Sequence, residues 1–151
     1  MNKKMKSWED KFMPRLKPIH KHFSKKIFHR LMKKSVTLKS SLKRRSKEYE
    51  VKCEISVDEI RKLFLKVYGN KCRYCERRLD VRNMVCDHIK PLSDGGDSIL
   101  NNLQIICDRC NTRKGSISHN DYKKLLKWLD GQSEDMRDYV LRKLAKGDIF
   151  R

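Results

Sequence analysis

Two CxxC pairs, Cys72-Arg-Tyr-Cys75 and Cys107-Asp-Arg-Cys110, constrain this chain more than anything else in it; 31 residues separate them. A two-residue gap lets one tight turn aim two thiolates at a single ion, and two such turns complete a tetrahedron. Four thiolates select Zn²⁺ for a closed, structural site. In a compartment that keeps thiols reduced, tightly spaced cysteines read as metal ligands before disulfides. Binding one zinc supplies about 10–16 kcal/mol of folding energy in small peptides, more than enough to staple a thin core. Cys53 and Cys86 lack paired spacing and read as buried apolar fillers.

The core is expected to be thin because the chain is short and highly charged. Its 151 residues suffice for one domain of ordinary size. Charged residues make up 38%, against roughly 25% in an average soluble protein. Lys and Arg number 38 against 19 acids, a net charge of +19. No uninterrupted apolar run exceeds three residues. A transmembrane helix needs about 20 and a secretory signal about 7–15, so a soluble, intracellular, cytoplasmic protein is expected. The charge points to a polyanionic partner, nucleic acid foremost.

That charge is unevenly spread. Residues 1–52 hold 18 Lys and Arg against 4 acids, a net of +14, whereas residues 53–151 carry +5. The chain therefore divides into a basic N-terminal arm, 1–52, and a more balanced domain, 53–151. In the arm, Pro14 and Pro18 follow Trp8, Phe12 and Met13 and break any helix there. Phe23, Ile27, Phe28, Leu31 and Met32 recur at helical spacing and predict an amphipathic helix. Its apolar face could pack on the globular part or, less favourably, lie on an anionic membrane. Ser40 to Lys47 reads as a flexible connector, and His20, His22 and His29 as surface or phosphate-facing residues.

In the second part, Ser56 and Glu59 form a capping box before the Ile60, Leu63, Phe64, Val67 stripe, predicting a helix over 57–68 that Gly69 ends. Strands are expected at 84–87 and 103–106, with Asp94-Gly95-Gly96 as a turn between them. Helices are expected at 108–114, stopped by Gly115, at 121–129, and at 134–145 with Ser133 as cap and Gly147 as stop.

Between the CxxC pairs lie Cys86-Asp87-His88-Ile89-Lys90-Pro91-Leu92, then Gly95-Gly96, then Asn102-Leu103-Gln104, with Asn111 directly after Cys110. This joint order over residues 72–115 resembles the HNH endonuclease family in its four-cysteine form. The resemblance implies an α+β fold: a zinc-stapled ββα-metal finger, flanked here by helices, with the basic arm before it. It also implies hydrolysis of DNA phosphodiester bonds. His88 would be the general base, Asp87 a ligand of the catalytic divalent cation, and Asn102 the residue that ties down the long loop and so orients His88. Asn111 stands where many members carry His and would be the second protein ligand, favouring Mg²⁺ or Mn²⁺ because both protein donors are then oxygens.

The chemistry is coherent on its own. Imidazole is the side chain suited to deprotonating water near neutral pH, and a cation offsets the charge growing on phosphate oxygens. In a straight strand Asp87 and His88 would point to opposite faces, so the strand must end or bend there. Lys114, Arg113 and Arg109 are candidate phosphate contacts, and His119 reads as a surface residue. The expected partner is double-stranded DNA, met by a monomer or weak dimer that nicks one strand per event. The competing classes are a zinc-containing RNA-binding protein of ribosomal type and a DNA-binding finger without catalysis. Neither needs the Asp87, His88, Asn102, Asn111 series in register with the cysteines.

Overall fold

The computed structural model describes residues 25–146. Trp8, Phe12, Met13, Pro14, Pro18, His20, His22, Phe23 and Gly147 lie outside the described residues. The chain order is a long helix α1 (Lys25–Glu48), helix α2 (Val57–Val67), strand β1 (Met84–His88), strand β2 (Leu103–Cys107), helix α3 (Asp108–Lys114), helix α4 (His119–Asp130) and helix α5 (Glu134–Lys146). Two short 3₁₀ turns, Leu92–Asp94 and Leu100–Asn102, shape the loop between the strands. This is the α+β arrangement expected: an antiparallel strand pair, a helix directly after it, and flanking helices.

Local chemistry sets most boundaries. Ser56 Oγ accepts from the Glu59 amide while the Glu59 carboxylate accepts from the Ser56 amide, so the capping box starts α2 as expected. Gly69 follows at φ 77°, a left-handed value. Ser118 caps α4 by accepting from the Asp121 amide, which begins that helix two residues before the expected start. Ser133 Oγ accepts from the Met136 amide at the start of α5.

The largest departure from expectation is in α1. Residues 40–47 are not a flexible connector; they continue the helix without a break to Glu48. Phe28, Leu31, Met32 and Leu42 are buried in the same apolar cluster as Ile60 and Phe64 of α2, and Met84, Ile105 and Ile106 of the strands. Ser35 and Ser46 complete the buried face. Small residues there let the helix approach closely, and Ser35 Oγ satisfies itself on the Leu31 carbonyl one turn back. A Ser/Lys/Arg-rich composition hid this face, since between Leu38 and the helix end its only large apolar anchor is Leu42. Of the two places open to the amphipathic helix, the structure shows it on the globular part. His29 is exposed, as expected.

The strands pair with Asp87 opposite Gln104 and His88 opposite Leu103. β2 is buried along its whole length, whereas β1 is buried at Met84, Asp87 and His88 and half-buried at Val85 and Cys86. Cys53 and Cys86 are half-buried rather than fully buried: Cys53 Sγ accepts from Lys39 Nζ at 3.7 Å, and Cys86 borders a cleft. No helix among the described residues is long and apolar enough to cross a membrane.

Candidate functional site

The four cysteines of the two CxxC pairs come together. Their Sγ atoms all lie within 4.8 Å of one another, and Cys75 Sγ and Cys107 Sγ are 3.7 Å apart. A tetrahedron with metal–sulfur bonds of about 2.3 Å places its sulfurs about 3.8 Å apart. The backbone supports the cluster: the Cys107 amide donates to Cys72 Sγ and the Cys110 amide to Cys107 Sγ, each at 3.4 Å. The Cys72 thiol is pulled down to about 4, chiefly because the Cys110 thiol donates to it; the same bond pushes Cys110 up. Burial pushes Cys107 up to about 11. Four thiolates at such spacing repel and need a cation between them. The cluster is compatible with a structural zinc.

A second site lies where β1 ends and α3 begins. Asp87, His88 and Asn111 line one cleft of about 230 Å³, together with Arg45 and Tyr49 from the α1 end and Lys114 from α3. β1 stops at His88, which resolves the opposite-faces difficulty: with no strand beyond it, the two side chains border a common space. Asn102 does what a loop anchor requires. Its Oδ1 accepts from the Lys90 amide at 2.8 Å, and its Nδ2 donates to the carbonyls of Lys90 and Asp97 at 3.0 and 2.8 Å. The loop is closed so tightly that a Cβ on Gly96 would stand 2.0 Å from the Lys90 carbonyl oxygen.

His88 is 4% exposed, and its Nε2 lies 2.9 Å from Ser98 Oγ. Burial, reinforced by Arg45 and Lys114, pushes its ring down to about 4, so it is neutral near pH 7. Asp87 is held by two partners: Gln104 Nε2 donates to Oδ2 at 2.7 Å, and Lys114 Nζ donates to Oδ1 at 3.0 Å. Lys114 is 1% exposed and also donates to the His88 carbonyl at 3.0 Å. It therefore faces inward and fixes both ends of the Asp87-His88 dipeptide, which is not the outward reach of a free phosphate contact. Arg109 is exposed and Arg113 half-buried, with its Nε buried and unpaired among the described residues.

Asp87 and Asn111 both line the cleft and both carry side-chain oxygen, the donor type of a hard divalent cation. Lys114 already neutralises part of the Asp87 charge. The donor set fits a weakly held ion that keeps most of its water, and does not fit a tightly caged one.

Several partners were not foreseen. Gln104 is buried opposite Asp87 and is held in turn by Arg73 Nη1, which donates to its Oε1 at 2.8 Å. Strand register alone reveals it: pairing Asp87 with Gln104 puts both side chains on one face. His119 has a partner after all, with Nδ1 2.5 Å from Tyr74 Oη, and Tyr74 accepts from Gln104 Nε2 at 2.8 Å. It is half-buried rather than a free surface residue. Ser98, Ser46, Arg45 and Tyr49 carried no sequence signal, since Ser98 comes from the loop between the strands and the other three from the end of α1, outside the motif.

A two-stranded sheet, a following helix, a four-cysteine cluster and an Asp-His pair at the strand end make up a ββα finger with a cysteine cluster. Residues 72–116 match the family model described as HNH endonuclease, and this segment is an HNH endonuclease domain. Such a domain implies a nucleic-acid substrate and phosphodiester hydrolysis. No curated protein and no solved structure matches the chain.

Proposed function

We propose that this protein is a metal-dependent DNA endonuclease that hydrolyses one strand of double-stranded DNA per event, acting as a monomer or weak dimer. The observation that carries the reading is the convergence of Asp87, His88 and Asn111 on one cleft, inside the segment matching the HNH family. His88, neutral at physiological pH, takes a proton from a water molecule. The resulting hydroxide forms a bond to phosphorus, and the bond from phosphorus to the leaving oxygen breaks with its electron pair going to that oxygen. Asn102 keeps the loop, and so His88, in place. Lys114 and Gln104 hold the Asp87 carboxylate in orientation. A Mg²⁺ or Mn²⁺ ion held by Asp87 and Asn111 would offset the charge growing on the phosphate oxygens. One zinc on Cys72, Cys75, Cys107 and Cys110 would fix the first turn of α3, where Cys110 and Asn111 are neighbours pointing about 100° apart. One active site per chain cuts one strand, hence the nick.

The basic segment 1–52 is assigned most of the nonspecific DNA affinity, with Arg109 and Arg113 as further phosphate contacts. On α1, Lys26, Arg30, Lys33 and Lys47 are exposed on the side away from the buried face. Such a row tracks phosphates without reading sequence.

The test is a plasmid nicking assay with Mg²⁺ or Mn²⁺, with and without chelator, on wild type and His88→Ala. Chelator-sensitive conversion of supercoiled to open-circular plasmid is expected. His88→Ala should lose at least about 10²-fold, the low end for removing a general base, while binding DNA as wild type does. Cleavage by His88→Ala at the normal rate removes the assignment, and DNA or RNA binding without cleavage in wild type turns it to one of the two binding classes.

A further inference from the structure

His88 Nε2 is not free. It lies 2.9 Å from Ser98 Oγ, and Ser98 Oγ lies 2.7 Å from Ser46 Oγ. All three residues are buried: His88 is 4%, Ser98 0% and Ser46 1% exposed. Ser98 sits in the loop between the strands, inside the HNH segment. Ser46 belongs to the last turn of α1, 52 residues away and outside that segment. His88 Nδ1 makes no hydrogen bond among the described residues, and the ring borders the cleft.

We infer that Ser98 and Ser46 are positioning residues for His88, holding the ring with Nε2 protonated and Nδ1 open to the cleft. This rests on the nuclease reading only for its consequence, not for its geometry. The reasoning is a count of protons. A serine hydroxyl carries one proton and can either give or receive along this line. If Ser98 gives its proton to Ser46, its lone pair receives Nε2–H and the free lone pair of the ring is at Nδ1. When Nδ1 then takes a proton from water, the imidazolium has an N–H on both nitrogens, and Nε2–H is already paired. No hydroxyl has to turn during the step. With the opposite polarity, Ser98 would give its proton to Nε2, and Nδ1 would already be protonated and unable to act as base. Ser46 is thus what frees Ser98 to accept.

The backbone explains why the pair is held at this spot. The stretch after α1 pairs with the loop: the Ser98 amide donates to the Lys52 carbonyl at 2.8 Å, and the Glu54 amide donates to the Ser98 carbonyl at 3.1 Å. The Lys52 amide donates to Asp97 Oδ1 at 2.9 Å. Helix α1 and the catalytic loop are therefore one unit, and the basic helix reaches the general base through two hydroxyls.

The experiment uses the full-length chain. Ser98→Ala removes only the hydroxyl and keeps the backbone pairing with 52–54; Ser46→Ala is the second variant, so that one poorly folded protein does not end the test. Nitrogen-15 NMR of the His88 side chain reports the tautomer directly. Wild type is expected to carry its proton on Nε2, and Ser98→Ala to show a mixture of tautomers. In the nicking assay kcat should fall by about tenfold, the scale at which loss of an orienting partner of histidine is felt, with KM within about twofold. Ser46→Ala should move in the same direction and by less. A wild-type ring protonated on Nδ1 alone overturns the inference, as does an unchanged kcat in folded Ser98→Ala. If wild type cuts nothing, the nuclease reading fails, while the tautomers of wild type and Ser98→Ala still decide whether the hydroxyls position the ring.

Discussion

The finger at residues 72–116 and helix α1 meet at the same cleft but are held by different physics. The finger shares Leu79, Met84, Leu103, Ile105 and Ile106 with the common core and also brings its cysteines within 4.8 Å, an arrangement compatible with a metal staple. Helix α1 has no motif at all and is held by Phe28, Leu31, Met32 and Leu42 in the common core. One region is specified by a few chemically special residues at fixed spacing. The other is specified by apolar periodicity, which says that a helix has a buried face but not what it is buried against. The proposed chemistry lies in the first region, yet Arg45 of the second and Tyr49 just after it line the cleft, and Ser46 bonds to Ser98, the partner of the histidine.

The largest effect expected is on the staple. Cys75→Ala, or prolonged exposure to a strong zinc chelator, should unfold the finger, because zinc binding carries about 10–16 kcal/mol of folding energy in small domains. Metal analysis should give one tightly held zinc per wild-type chain, and circular dichroism should follow its loss. A zinc-free chain that still melts cooperatively at the wild-type temperature would erase the contrast between the regions.

Helix α1 offers the matching test. Leu31 is fully buried, and Leu31→Ala should cost about 2–5 kcal/mol, the range for a truncated core leucine. Because α1 and the strands share one cluster, denaturant unfolding should remain a single transition shifted as a whole. Two separated transitions, with the finger unaffected, would make α1 an independent arm.

Inside the finger stands the buried Lys114–Asp87 pair. Lys114→Ala leaves Asp87 buried without its cation and should cost about 3–5 kcal/mol, measured as a lower denaturation midpoint. Adding Asp87→Asn should recover part of that loss, since the amide has no charge to strand. If the double variant is no more stable than the single one, Lys114 acts through its bond to the His88 carbonyl and its packing, not through the Asp87 charge.

What could be read beforehand follows the same division. The cysteine cluster, the Asp87-His88 strand end and α3 from Asp108 to Lys114 were legible because local spacing encodes them, whereas Asn102 as the tie of the loop was an expectation from the family resemblance. Gln104 and Ser98 were not, because their roles appear only once β1 and β2 pair and the loop folds back on residues 52–54. Ser46 was hidden more deeply. A stretch of Ser, Lys and Arg looks like linker, and only the close packing of α1 turns its serines into buried partners. Lys114 misled for a related reason: a lysine on a basic helix looks solvated until the cleft is seen to enclose it.

The smallest effect concerns the outer face of α1, where charge rather than burial should matter. Lys26, Arg30, Lys33 and Lys47 are exposed there, so replacing them with Gln removes charge without opening the core. Each phosphate left without its cation should lower the slope of log K against log salt by about 0.9 on duplex DNA. All four replacements together would flatten it by between 3 and 4, roughly, with weaker binding at low salt and converging affinity at high salt. The melting temperature should hardly move, because surface substitutions away from special features stay within about ±0.5 kcal/mol. Cleavage at saturating enzyme should survive, since Ser46, Leu42 and the cleft residues are untouched. This separates the two jobs of one helix. An unchanged salt slope would leave α1 with its inward role alone, and the DNA affinity would then have to come from the finger or from residues 1–24.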